Sequence, residues 1–179
     1  MEKLLLKLLQ PIAKIIVRLL QKHIKKTGIV PAYYFHRFAR VYPQAAYELI
    51  IFRKSDRGLE VFLKKRPQDD PEWPNEWHFS GTIVRNDDKD EAIWKRLARE
   101  HNLEEFSGQP RFAYNEITKN KRCTTLHAIY YLVLDQSYEL PAGKIFPVTD
   151  LPSPMLEHQI EQIQRMVKYL QSKTRLTFS

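Results

Sequence analysis

Between Leu4 and Ile24, apolar residues recur at helical steps: Leu5, Leu8, Leu9, Ile12, Ile16, Leu19 and Leu20. Lys7, Lys14, Arg18 and Lys25 fall on the other side, so the pattern predicts an amphipathic helix. Pro11 lies within it. Proline is comfortable only in a first turn, which predicts a kink or two short helices meeting at Gln10. Gly28 and Pro31 mark a break, and Tyr33 to Arg40 is a short aromatic and basic segment leading onward.

From Ala46 the pattern changes. Ala46–Phe52 (AYELIIF) is rich in strand formers, Leu59–Lys65 (LEVFLKK) alternates, and Lys54–Gly58 has turn composition, which together predict a hairpin. Pro67–Asn75 is dense in Pro, Asp and Asn and reads as an exposed loop. A helix is predicted from about Lys89 to His101, with Asp88 and Glu91 in capping-box spacing at its start. Phe112–Ile117 and Thr124–Leu134 read as strands, the second apolar enough to be central, and Ile145–Val148 as one more. Leu156, Ile160, Ile163, Val167 and Leu170 define a closing helix. Helices interleaved with strands favour a layered α/β fold.

Charge divides the chain the same way. Of its 29 Lys/Arg and 21 Asp/Glu, residues 1–40 hold nine and one, so this arm carries the whole excess of +8 and the remainder is neutral. The sequence therefore divides into a basic amphipathic arm, 1–40, and a domain, 41–179. A membrane span needs about 20 apolar residues in a row, and basic residues break the arm at Lys3, Lys7, Lys14, Arg18 and Lys22. The same interruptions argue against a signal peptide. Helices of this kind more often pack on their own domain or on a second copy. The alternative is a peripheral anchor on anionic lipid. Interleaved aromatics and arginines are missing, so no specific nucleic-acid partner is expected. With Cys123 as the single cysteine, no intrachain disulfide can form, and the expected address is cytoplasmic or membrane-peripheral.

The order of loop, Trp77-His78-Phe79-Ser80-Gly81-Thr82, acidic turn and helix resembles the Nudix hydrolase family. That family's box reads Gly-x5-Glu-x7-Arg-Glu-apolar-x-Glu-Glu-x-Gly-apolar. Without gaps, Gly81 takes the first glycine, Asp87 the first glutamate, Lys95 the arginine, Leu97 and Leu103 the apolar positions, and Glu100 the second glutamate of the pair. Arg96 and Arg99 stand where the other two helix glutamates belong, and Asn102 replaces the last glycine. Leu63-Lys64-Lys65-Arg66 is similar to the family's flanking strand. Phe146 to Pro152 is similar to the segment entering its last helix. The resemblance implies a Nudix-like α/β/α sandwich with a mixed sheet, plus the amphipathic arm.

It also implies chemistry. Nudix hydrolases split a pyrophosphate link, using Mg²⁺ or Mn²⁺ held by box glutamates, a hard cation that neutralises developing phosphate charge. Carried onto this chain, the metal ligands are Glu100, the Gly81 carbonyl and Glu139 from the loop 137–144, with the metal weakly bound among so many arginines. Arg66, Arg96 and Arg99 are the candidate phosphate grips. Trp77, with Trp73 and Tyr114, is a candidate stacking surface, and His78 in the glycine loop is the candidate base. His127 and His158 read as packing or capping residues. The GDP-mannose mannosyl hydrolase branch, which also lacks most box glutamates, is an analogue, although its later histidine and glutamine have no counterpart in 137–144. The expected function is metal-dependent hydrolysis of a nucleoside diphosphate derivative. The alternatives are an inactive module binding a nucleotide-type small molecule, or a membrane-peripheral or self-associating (homodimeric) scaffold acting through residues 1–27.

Overall fold

A computed structural model describes residues 2–27, 30–86, 88–120, 123–135, 138 and 143–176. They form two compact units, Met1–Tyr42 and Pro43–Ser179. In the first, α1 (Glu2–Thr27) runs unbroken through Pro11. The expected division into two helices at Gln10 does not occur, because losing one amide donor is outweighed by cooperative propagation on both sides of the proline. Tyr33 to Arg40 is not a simple connector either. It forms α2 (Ala32–Ala39), whose first amides, those of Tyr34 and Phe35, donate to the Pro31 carbonyl at 3.0 Å.

The second unit is built on β1 (Gln44–Ser55) and β6 (Thr124–Leu134), paired in parallel, with the hairpin partner β2 (Gly58–Lys65) antiparallel to β1. Asp56 and Arg57 make the turn, and Gly58 adopts φ +107°, which only glycine holds without strain. β5 (Arg111–Lys119) lies outside β6 and β7 (Lys144–Pro147) pairs with β2. The segment read as a glycine loop contains two short strands, β3 (Trp77–His78) on β2 and β4 (Ser80–Ile83) on β1. Their register comes from partners distant in the chain, which local composition does not report.

Alternation along β1 sorts the core into two layers. Ile50 and Phe52, with Val61, Leu63 and Ile129, pack against Ile163 and Met166 of α4 (Glu157–Leu176). Leu49 and Ile51, with Phe62 and Leu132, pack against Ile93 and Leu97 of α3 (Asp90–Glu100). The sheet is therefore mixed and covered on both faces, with each fully buried Leu, Ile or Phe contributing about 1.5–3 kcal/mol. The loop 67–75 is largely exposed, as its composition predicts, except at Trp73. Asp70 folds it by accepting from the amides of Glu72 (3.0 Å) and Trp73 (2.9 Å), which tucks Trp73 into the interior.

Candidate active site

Strand β1 changes partners midway. Ala46–Leu49 pair with β4, and pairing with β2 begins only at Phe52. At this handover Glu48 lies opposite Gly81, on the strand edge where the sheet splits. Glu48 is 8 % exposed, a buried acid within an otherwise apolar run. The absence of a side chain on Gly81 is what admits it, since a Cβ there would lie 2.0 Å from the Glu48 Oε2. Glu48 Oε1 accepts a hydrogen bond from His127 Nδ1 at 3.1 Å, and His127 Nε2 lies 2.7 Å from the Thr118 hydroxyl. His127 is thus a buried polar partner of Glu48 and not the packing residue its apolar strand predicts.

Glu100 reaches the same neighbourhood from the last turn of α3. The helix stops there because Asn102 adopts φ +57°, with the Leu103 amide on the Ala98 carbonyl (3.1 Å) and the Asn102 amide on that of Arg99 (3.0 Å). This is a Schellman closure, and asparagine tolerates the left-handed conformation it requires. The Lys64 ammonium donates to the Glu100 backbone carbonyl. The Glu100 carboxyl is pushed above its ordinary pKa, first by burial and then by the negative charge of Glu48, with Lys64, Arg96 and Arg66 acting in the opposite direction. The charge of Glu48 is therefore felt at Glu100, and although β1 was predicted as a strand, Glu48 was not among the candidate site residues. The available signal was one acid, Glu48, in a strand otherwise fit for the core.

The arginines are placed differently. Arg96 reaches back to the loop before its own helix, ion-paired with Asp88 at 2.6 Å and bonded to the Thr82 hydroxyl at 3.1 Å. Asp88 is consequently not a helix cap. Lys89 occupies that position without a side-chain bond, and Glu91 pairs with Lys95 at 2.7 Å. The Asp88 carboxyl is held below its usual range by the Arg96 guanidinium. Arg66 is likewise ion-paired with Asp70 at 2.5 Å and sits over the Trp73 ring at 5.4 Å. Burial would raise the Asp70 pKa, but the Trp73 and Glu72 amides and Arg66 overcome it and bring it to about 2. Arg99 is exposed on the last turn.

His78 is half-buried, with Nδ1 donating to the Phe79 carbonyl at 2.8 Å. Burial, then the cations Arg66 and Lys64, push its pKa down to about 4. An imidazole whose conjugate acid is that strong accepts protons poorly at neutral pH, so its position suits a strand anchor more than a base. Trp77 packs edge-on against Phe146 at 4.9 Å on the margin of the α4-side core. Glu139 and Asp87 lie outside the described residues.

A cleft of about 680 Å³ opens on the α4 side, within the roughly 300–1,000 Å³ range of small-molecule sites. Trp73, Lys119, Leu151, Met155, Glu157 and His158 line it. The segment forming its floor is zipped to β3, with the Trp77 amide on the Pro154 carbonyl (2.9 Å) and the Leu156 amide on that of Trp77 (3.2 Å). The His158 ring stands 6.0 Å from that of His127, and His127 bonds Glu48, so one pair of imidazoles lies between the cleft and Glu48.

No family model and no curated protein matches the chain by sequence. Solved structures do match. A mutT/nudix family protein from Listeria innocua aligns with a TM-score of 0.61 at 15 % identity, over 75 % of this chain and 99 % of that one. An Ap4A hydrolase of C. elegans, solved as a binary complex, aligns at 0.55 and 14 %, over 72 % and 98 %. The NUDIX domain of Shewanella oneidensis NrtR, crystallised with ADP ribose, aligns at 0.51 and 17 %, over 72 % and 89 %. At such identities the likeness is one of fold.

Proposed function

The chain has the Nudix fold, and on that frame we propose that it hydrolyses a phosphoanhydride link in a nucleoside diphosphate derivative. Glu100 and Glu48 stand at the reacting phosphates, and the cleft lined by Trp73 and His158 takes the nucleoside end. In the reaction water adds to one phosphorus, the bridging oxygen leaves with the bonding electron pair, and the water's proton ends on product phosphate. The observation that carries this reading is the buried Glu48 packed against Gly81, with its charge helping to raise the pKa of Glu100. Like charges held together away from water cost free energy unless a cation joins them, and such arrangements concentrate at functional sites.

Among the described residues, no three of His, Cys, Asp and Glu are grouped to hold a metal ion. Two carboxylates are enough for Mg²⁺ or Mn²⁺ of the kind that shares its shell with substrate phosphates. The donor set fits an ion that arrives with its substrate, held by Glu100 and Glu48 with the Gly81 carbonyl as a further donor. When bound, such an ion neutralises the charge that builds on the phosphate oxygens. The chain's own residues do the rest: His127 fixes the Glu48 carboxylate, Lys64 fixes the end of α3, and Arg96 holds the loop beside the split. That the NrtR domain binds ADP ribose and the C. elegans protein is an Ap4A hydrolase supports a nucleoside diphosphate derivative as the substrate class. The alternative, an inactive module gripping phosphate through arginines, draws less support, since Arg66 and Arg96 are engaged with Asp70 and Asp88.

The test is a panel of nucleoside diphosphate sugars, dinucleotides and nucleoside triphosphates with Mg²⁺ and Mn²⁺, run on the wild type and Glu100→Gln. Turnover of at least one compound, lost in the variant, is expected. Tight binding without turnover in either protein defeats the hydrolase reading.

A further inference from the structure

The first unit carries a surface that hydrolysis does not use. Along α1, Leu5, Leu9, Ile12, Ile16 and Leu19 recur at alternating steps of four and three residues, which places them on one face. All five are exposed, Leu19 to 63 % and Ile16 to 41 %. Lys7, Lys14, Arg18, Lys22 and Lys25 recur on the other face at steps of seven, four, four and three. No aspartate or glutamate occurs between Lys3 and Tyr47. In α2, Tyr33 (60 %) and Phe38 (49 %) are exposed, and the Arg37 guanidinium lies 4.6 Å over the Tyr33 ring.

We infer that α1 lies flat in the interface of an anionic lipid membrane, apolar face toward the acyl chains and basic face among the headgroups. A second copy would cover leucines and isoleucines, but it would bring no carboxylate to the flanking positions, where self-paired helices set their register and partner. A lipid surface satisfies both faces at once, and the exposed Tyr33 and Phe38 beside arginine suit the headgroup level. Among the described residues no helix is long and apolar enough to cross a membrane, so the contact is in-plane. This inference does not depend on the hydrolase reading.

The test floats the full-length chain with phosphatidylcholine vesicles, with and without phosphatidylserine. The chain is expected to float with the serine-lipid vesicles and to be released by high salt. Each basic residue near the surface is worth about fivefold in partition, so Lys14→Ser with Arg18→Ser weakens flotation about thirtyfold. Both sites are exposed, and unchanged thermal unfolding of the variant shows that the second unit is intact. Amide exchange across residues 2–27 slows when the serine-lipid vesicles are added. Failure to float with them overturns the inference, as does equal flotation with pure phosphatidylcholine. A chain that sediments as a dimer, becomes monomeric on Ile16→Asn and ignores vesicles assigns the face to a second copy instead. Binding to oligonucleotides but not to vesicles would also overturn it.

Discussion

The charged clusters around the split in β1 are built in two opposite ways. At Arg96–Asp88 and Arg66–Asp70 each guanidinium is matched to one carboxylate, and each pair holds a loop in shape. At Glu48 and Glu100 the charge of one carboxylate helps raise the pKa of the other, with Lys64, Arg96 and Arg66 acting against that rise. From sequence the arginines read as phosphate grips, Arg96 and Arg99 because they stand where the family places acids and Arg66 because it ends the flanking strand. In the structure Arg96 and Arg66 are paired with acids that shape loops and Arg99 is exposed, while Glu48 and Glu100 are the groups proposed above for a ligand's cation. A charge earns a functional reading by what surrounds it, and helix position alone does not supply that.

The largest expected effect falls on the carboxylates. Glu48→Gln, which keeps shape and removes charge, lowers metal-dependent turnover about hundredfold, as loss of one charge-stabilising group does. A turnover unchanged in steady-state kinetics would return Glu48 to a purely structural role.

Next comes pH. His78 has a folded-state pKa near 4 against an ordinary 6.5, so the folded state favours the neutral ring. Its contribution is complete above pH 6.5 and is lost as pH falls toward 4, because the unfolded chain takes up the proton first. After a discount for partial exposure, about 2 kcal/mol is expected across that window. Urea unfolding of wild type and His78→Gln checks this, the variant showing a flatter profile over the same range.

Gly81→Ala ranks close behind. Its methyl group must displace the Glu48 carboxylate and with it the bond to His127, at about 2 kcal/mol. Adding Glu48→Ala recovers much of that loss in a double-mutant cycle. Strict additivity would show that the two residues do not share space.

Smallest is the contrast among arginines. Arg96→Met leaves the half-buried Asp88 without its ion-pair partner and costs about 1–2 kcal/mol. Arg99→Met, on an exposed position, stays within about 0.5 kcal/mol. Equal effects in thermal unfolding would erase the distinction between scaffold and surface arginines.

Much of this architecture was legible before any coordinates. The strand Thr124–Leu134 is nearly all apolar and is found with those limits, and the closing helix follows from Leu156, Ile160, Ile163 and Val167. Glycine spacing placed Gly81 and Glu100 in register with a box, although arginines had replaced its acids. What escaped has a common cause. The strands Trp77–His78 and Ser80–Ile83 exist only through pairing with β2 and β1, the capping role of Asp88 was overridden by Arg96 eight residues away, and Trp73 is buried by a turn that Asp70 organises. Glu48 escaped for the same reason. Its meaning depends on Gly81, His127 and Glu100, which are distant in the chain and meet only when the sheet forms.

The most direct test of the central claim is Mn²⁺ binding in the presence of ADP, followed by electron paramagnetic resonance in the wild type, Glu48→Gln and Glu100→Gln. The account predicts bound Mn²⁺ in the wild type and at least about tenfold weaker binding in each variant, the scale of losing one carboxylate ligand. Equal affinity in all three proteins would contradict it, because the two carboxylates would then have no cation to share.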